Sequence, residues 1–179
     1  IRGHQIGYRN TANSWDAWTI EQFERYIRDF VIFGANAIEN IPLGGGSPHF
    51  KYTRKEMNEA MSRICGKYGM MYWFWMPAPH DLTDPEQRAR GLEIADSLFS
   101  ETPYLTEVFI PGGDPGENHP RDLVPYLEEV SEVLARYHPD AGIWVSLQKF
   151  SPEKVDFFFD WIQDEMPDWL RGVVDGPWG

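Results

Sequence analysis

Short apolar runs alternate with longer segments of helical periodicity along the whole chain of 179 residues. The apolar runs recur roughly every 30–36 residues, which is the spacing of consecutive β-strand, α-helix, β-strand units. Six strands are predicted in this way, at residues 2–8, 36–41, 70–76, 107–110, 142–148 and 172–175. Their strict alternation with helices predicts a parallel sheet that is covered by helices.

Five helices are predicted between these strands, and each start carries a capping residue or a proline. The starts are Thr19, Thr53, Asp84-Pro85, Pro120 or Asp122, and Ser151-Pro152. Thr19 with Gln22, and Thr53 with Glu56, have the spacing of capping boxes. The apolar stripe of the last helix predicts that Phe158 and Phe159 are both buried.

Two architectures fit this order of elements: a doubly wound open sheet and a (β/α)8 TIM barrel. A doubly wound sheet favours a glycine-rich phosphate turn after its first strand, but Gly7-Tyr8-Arg9-Asn10 lacks that pattern. The long loops after the strands carry polar and aromatic residues, as barrel active-site loops do. We therefore predict an α/β fold, a TIM barrel truncated to about six strands and five helices. Residues 1–179 then form one partial catalytic domain, and the remaining barrel strands are expected from the parent chain.

Charge and cysteine content exclude several classes of partner. The net charge of −12, with no basic run, argues against binding to nucleic acid or to a membrane surface. The single Cys65 excludes an internal disulfide and is expected to be a small buried side chain. No signal peptide is present in this chain, and we expect the parent protein to be periplasmic or secreted.

The strand-four segment delivers two carboxylates where a barrel strand ends. The apolar run from Val108 to Pro111 is followed by Gly112-Gly113, then by Asp114 and Glu117. Two carboxylates at one position are suited to general acid/base chemistry, because their surroundings can separate their protonation states. The alternatives remain open that Asp114 only caps a turn and that Glu117 only complements a helix dipole.

Further polar and aromatic residues are predicted at the carboxyl ends of the other strands, where barrel enzymes place their chemistry. The candidate substrate-binding residues among them are Arg9, Glu39, Asn40, Trp75, Trp144, Gln148, Asp175 and Trp178. Carboxylates, amides and indoles together suit a neutral ligand rich in hydroxyl groups, above all a sugar. The five histidines form no HxH or HExxH pair, so no metal and no other cofactor is expected.

Two short motifs resemble those of known glycosidases. Gly112-Gly113-Asp114 followed by Glu117 resembles the fourth-strand signature of family 20 β-N-acetylhexosaminidases, and Arg2-Gly3 is similar to their first strand. Family 67 α-glucuronidases share the same general layout. The resemblance implies that Asp114 orients an acetamido group and that Arg2 binds sugar hydroxyls. It departs at Pro115, which stands where the general acid is expected, so that Glu117 is the candidate acid.

The leading hypothesis is a glycoside hydrolase that cleaves a glycosidic bond with general-acid assistance from Glu117. If Glu117 does not reach the glycosidic oxygen, Glu39 or Asp175 must take that role. One competing hypothesis is a carbohydrate-binding barrel without catalysis. Another is a barrel lyase or isomerase that acts on a small polar ligand.

Overall fold

A computed structural model describes residues 1–7, 14–41 and 49–175 of the chain. Its six parallel strands form one sheet in sequence order. The strands are β1 (Gly3–Gly7), β2 (Ala37–Ile41), β3 (Met71–Trp75), β4 (Glu107–Pro111), β5 (Gly142–Ser146) and β6 (Leu170–Val174). The helices are α1 (Ile20–Ile32), α2 (Arg54–Lys67), α3 (Pro85–Glu101), α4 (Pro120–Tyr137) and α5 (Pro152–Glu165), with a short 3-10 helix at Ser14–Ala17. This alternation confirms the predicted fold class, a TIM barrel truncated to six strands and five helices.

The helices begin at the predicted capping residues. In α1 the Thr19 hydroxyl accepts from the Gln22 backbone N–H at 3.3 Å, and the Gln22 side chain accepts from the Thr19 N–H at 2.7 Å. Thr53 and Glu56 form the same reciprocal pair at α2. Each box satisfies backbone donors that a helix start leaves without partners. Within the described part of the chain, no helix has both the length and the apolar character needed to cross a bilayer.

The structure divides into two compact units, and residues 1–75 and 100–107 form unit 1. The register of its strands aligns Gln5 of β1 with Glu39 of β2, and Glu39 with Trp73 of β3. Between these positions lie buried residues that pack against α1 and α2: Ile6, Ile38, Tyr72 and Phe74. Cys65 of α2 is fully buried, as predicted, and burial raises the pKa of its thiol to about 12.

Residues 76–99 and 108–179 form unit 2. Its core lies under α3, α4 and α5 and includes Val108, Ile110, Leu127, Val130, Ile143, Val145 and Phe158. The prediction that α5 buries both Phe158 and Phe159 is wrong for Phe159, which is 40% exposed. Phe158 packs on Phe150 and Trp161. Phe159, the next residue, points about 100° away from Phe158 around the helix, which leaves it more exposed.

Candidate active site

The loop between β4 and α4, residues 112–119, is packed closely against the end of β5. The Gly112 N–H donates to the Ser146 carbonyl at 3.1 Å. A Cβ atom on Gly112 would lie 2.3 Å from that same oxygen, and one on Gly113 would lie 2.5 Å from the Gln148 carbonyl oxygen. The two glycines are therefore required for this approach, which delivers Asp114 beside the residues that follow β5.

Asp114 is held by the two residues that it meets there. The Gln148 amide donates to Asp114 Oδ2 at 3.0 Å, and Lys149 Nζ lies 3.7 Å from Asp114 Oδ1. The carboxylate is 39% exposed, so these contacts are made in a half-buried position.

Glu117 converges on the same cation. Its Oε1 lies 3.7 Å from Lys149 Nζ, so the two carboxylates can be no further apart than twice that distance. We call Asp114, Glu117, Gln148 and Lys149 the rim cluster. The Glu117 side chain is 76% exposed.

The backbone at two members of the rim cluster is left-handed. Glu117 has φ of 52° and Lys149 has φ of 60°. This conformation costs an L-residue roughly 1–2 kcal/mol and persists only where the surroundings hold it. Both strained residues direct their charged ends to each other, which is the arrangement expected of a functional loop.

A further carboxyl group, that of Glu39, lies on β2 in unit 1. Glu39 accepts a hydrogen bond from the Gln5 amide at 2.9 Å. Both residues, with Trp73, line a cavity of about 310 Å³, which we call the strand cavity. Removal of Glu39 from water raises the pKa of its carboxyl group, and the Gln5 hydrogen bond opposes that effect in part. Glu39 is therefore the predicted site residue whose surroundings favour a proton.

Two other predicted residues of unit 1, Arg2 and Asn40, make hydrogen bonds within the fold. Arg2 precedes β1 and donates to the Gly34 carbonyl at 2.9 Å, at the amino end of that strand. This differs from the rim position that the glycosidase resemblance implies. Asn40 is fully buried and donates to Asn58 of α2 and to the Tyr72 hydroxyl at 3.2 and 2.9 Å.

Three further predicted residues lie on or directly after described strands. Trp75 ends β3 and is half-buried, Trp144 of β5 is half-buried against Gly172, and Asp175 is exposed directly after β6. Arg9 and Trp178 lie outside the described residues. The binding roles of all these side chains stay predictions. Among the described residues, no group of His, Cys, Asp and Glu side chains is arranged to hold a metal ion.

Two residues outside the predicted site set lie beside this loop, and sequence reasoning overlooked one of them, Lys154. Lys154, in the first turn of α5, donates to the carbonyls of Glu117 and Asn118 at 2.9 and 3.3 Å. The Ser146 hydroxyl is fully buried and has no hydrogen-bond partner among the described residues. The sequence signal that could have identified Lys154 is its position in the first turn of a helix, where the helix dipole disfavours a cation.

Comparison with known proteins supports the fold and leaves the chemistry open. No protein-family model matches the sequence, and no curated protein matches it. The N-acetylneuraminate lyase from Aliivibrio salmonicida has a similar structure, with a TM-score of 0.59 and 15% identity over 99% of this chain and 56% of the lyase. A dihydrodipicolinate synthase from Bacteroides thetaiotaomicron has a TM-score of 0.57 and 14% identity over 98% of this chain and 54% of its own.

Glycoside hydrolases are similar at the same level. A GH5_18 structure from Streptomyces cattleya, solved in complex with GlcNAc, has a TM-score of 0.56 and 12% identity over 74% of this chain and 40% of its own. The chain thus spans about half the length of these solved structures. Identities this low show a shared barrel fold, and the neighbours include both glycoside hydrolases and lyases.

Proposed function

We propose that this chain carries the catalytic carboxyl groups of a glycoside hydrolase built on a (β/α)8 barrel. One observation carries the proposal: within unit 2, the rim cluster brings two carboxyl groups, Asp114 and Glu117, to one lysine directly after β4 and β5. Asp114 also accepts a hydrogen bond from the Gln148 amide. Glycosidases act through a pair of carboxyl groups, one that donates a proton to the leaving oxygen and one that stabilises the charge at the reacting carbon.

The proposed roles follow from this arrangement. Glu117 protonates the leaving oxygen, and the Asp114 carboxylate stabilises the positive charge that develops at the anomeric carbon. Glu39 of unit 1 is the alternative proton donor, because burial raises the pKa of its carboxyl group.

The proposed substrate class is a carbohydrate, because β5, which leads into the rim cluster, also carries an indole. Trp144 is half-buried, so part of its ring is accessible for stacking on a sugar face. The resemblance to family 20 would make Asp114 the partner of an acetamido group, and the resemblance to family 67 would require a uronate. The GlcNAc in the Streptomyces structure adds N-acetylhexosaminides to the substrates worth testing.

The test is hydrolysis of a panel of aryl glycosides, including N-acetylhexosaminides and uronides, by the complete protein. E117Q should lower kcat/KM about 10²–10⁴-fold on substrates with a poor leaving group, because general acid catalysis supplies that much. On dinitrophenyl glycosides, whose leaving group needs no proton, the loss should be small. D114N should lower turnover on both kinds of substrate.

The matched control is E59Q, which neutralises an exposed glutamate paired with Arg63 on α2 and should leave turnover unchanged. If E39Q and not E117Q shows the dependence on leaving group, Glu39 is the acid. No cleavage across the panel would count against the glycosidase. Glycan binding in calorimetry without cleavage would favour the binding barrel.

A lyase is the second candidate, and Lys149 is the observation that favours it. Its amine lies between two carboxylates at the rim, and lysine amines can form imines with carbonyl substrates. The ion pairs are made by the ammonium, whereas imine formation needs the free amine. Borohydride reduction in the presence of N-acetylneuraminate, followed by mass measurement, should leave the wild type unmodified. An adduct that is absent in K149M would favour the lyase.

A further inference from the structure

Two sets of hydrogen bonds within unit 2 hold residues 117 and 118 of the loop between β4 and α4. Asn118 is buried, and its side chain accepts from the Leu82 N–H at 3.0 Å and donates to the Pro79 carbonyl at 2.8 Å. This fixes the loop directly after Glu117. The second set comes from the Lys154 ammonium, which donates to the carbonyls of Glu117 and Asn118.

The location of Lys154 is costly for a lysine. It is the third residue of α5, after the cap Ser151, where the positive end of the helix dipole disfavours a cation by roughly 0.3–1 kcal/mol. Within the described residues its ammonium bonds to backbone carbonyls and not to a carboxylate. An ordinary solubilising lysine would not need this position or these partners.

The backbone that Lys154 holds is the strained one. Glu117 is left-handed, with φ of 52°, and its carboxylate faces Lys149 from that conformation. A bond to the Glu117 carbonyl acts on the same peptide group that must be kept rotated. We infer that Lys154 is a positioning residue, whose ammonium holds Glu117 in its left-handed conformation and so keeps the rim cluster assembled. Its effect on catalysis rests on the proposed function, whereas its effect on the loop does not.

The experiment compares K154M, K154R and K55M with the wild type in the complete protein. Lys55 is the matched control, because it is an exposed lysine in the first turn of α2. Amide hydrogen exchange over residues 112–119 should be about tenfold faster in K154M, since two charge-assisted hydrogen bonds are lost. K154R should restore protection, because a guanidinium can donate to both carbonyls. K55M should leave the loop unchanged.

Turnover adds a readout that a purely structural role would not affect. On a substrate that the wild type cleaves, K154M should lower kcat with little change in KM, and K154R should recover most of it. Unchanged loop exchange in K154M, or faster exchange throughout the chain, overturns the inference. Faster loop exchange with wild-type kcat also overturns the positioning role. If the wild type cleaves no glycoside, the proposed function fails, and hydrogen exchange alone decides whether Lys154 holds the loop.

Discussion

The strand cavity and the rim cluster both present carboxyl groups, yet they hold them by opposite means. In the strand cavity, regular strands align Glu39 with Gln5 and Trp73, and the Gln5 amide donates to the Glu39 carboxyl group. In the rim cluster, an irregular glycine-containing loop brings Asp114 and Glu117 to one lysine. The same functional group thus meets a neutral amide in one region and a cation in the other.

This difference shows how a barrel can give similar side chains distinct surroundings. Regular strands supply a half-buried carboxyl group simply through register, at no cost in backbone strain. The rim needs left-handed residues and close backbone packing to bring its charges together. We therefore expect the rim to be the more sensitive to backbone changes and the strand cavity the more sensitive to charge.

The largest expected effect on stability is that of a methyl group added at Gly112, in the loop between β4 and α4. G112A would put its Cβ 2.3 Å from the Ser146 carbonyl oxygen, a contact that only backbone movement can relieve. We expect the free energy of unfolding to fall by about 1–3 kcal/mol, as measured by urea denaturation. G3A in unit 1 is the control, because its Cβ would meet Ala37 at 3.0 Å. Equal losses in the two variants would show that the rim is no more tightly packed than the strands.

An intermediate effect is expected where glycine relieves left-handed strain. Met166, the exposed C-cap of α5, has φ of 42°, and M166G should raise the free energy of unfolding by about 0.5–1 kcal/mol. E117G relieves the same kind of strain but also loses the contact with Lys149, so its gain should be smaller. Thermal denaturation of both variants measures this difference. Equal gains in the two variants would mean that the ion pair contributes nothing.

The smallest effect is the pH dependence of stability that Glu39 contributes. Its pKa in the folded state is raised above the ordinary value of 4.5, so the folded state binds the proton more tightly than the unfolded state. The corresponding stability is present in full below that value and is lost as the pH rises through the folded pKa. E39Q cannot titrate, so its free energy of unfolding relative to wild type should rise over that window. A difference that stays constant with pH would contradict the raised pKa.

Sequence patterns predicted the fold well because its determinants are local. The cap at Thr19 and the cap at Thr53 depend on residues three positions apart, and the strands follow from short apolar runs. The site depends on contacts between distant parts of the chain. Sequence patterns predicted Asp114 and Gln148 separately, but their hydrogen bond joins residues 34 positions apart. Lys154 was overlooked for the same reason, since its partners lie 36 and 37 positions away.

Strand direction explains two further differences between prediction and structure. A two-residue motif gave Arg2 a role in binding sugar, but the residue stands before β1, on the side of the sheet where strands begin. Asn40 adjoins the carboxyl end of β2, yet the alternation of side chains along a strand turns it towards α2. Composition alone does not show at which end of a strand a residue lies or towards which face of the sheet its side chain points.

The buried Cys65 is a built-in probe of how often unit 1 opens. The chain has one cysteine, and it lies on α2 in the core of that unit. Only the thiolate reacts with alkylating reagents, and burial strongly disfavours that form here. Alkylation of the native protein therefore has to wait for α2 to leave the strands beneath it. The rate of mass gain under such a reagent reports how often unit 1 opens, without any introduced label.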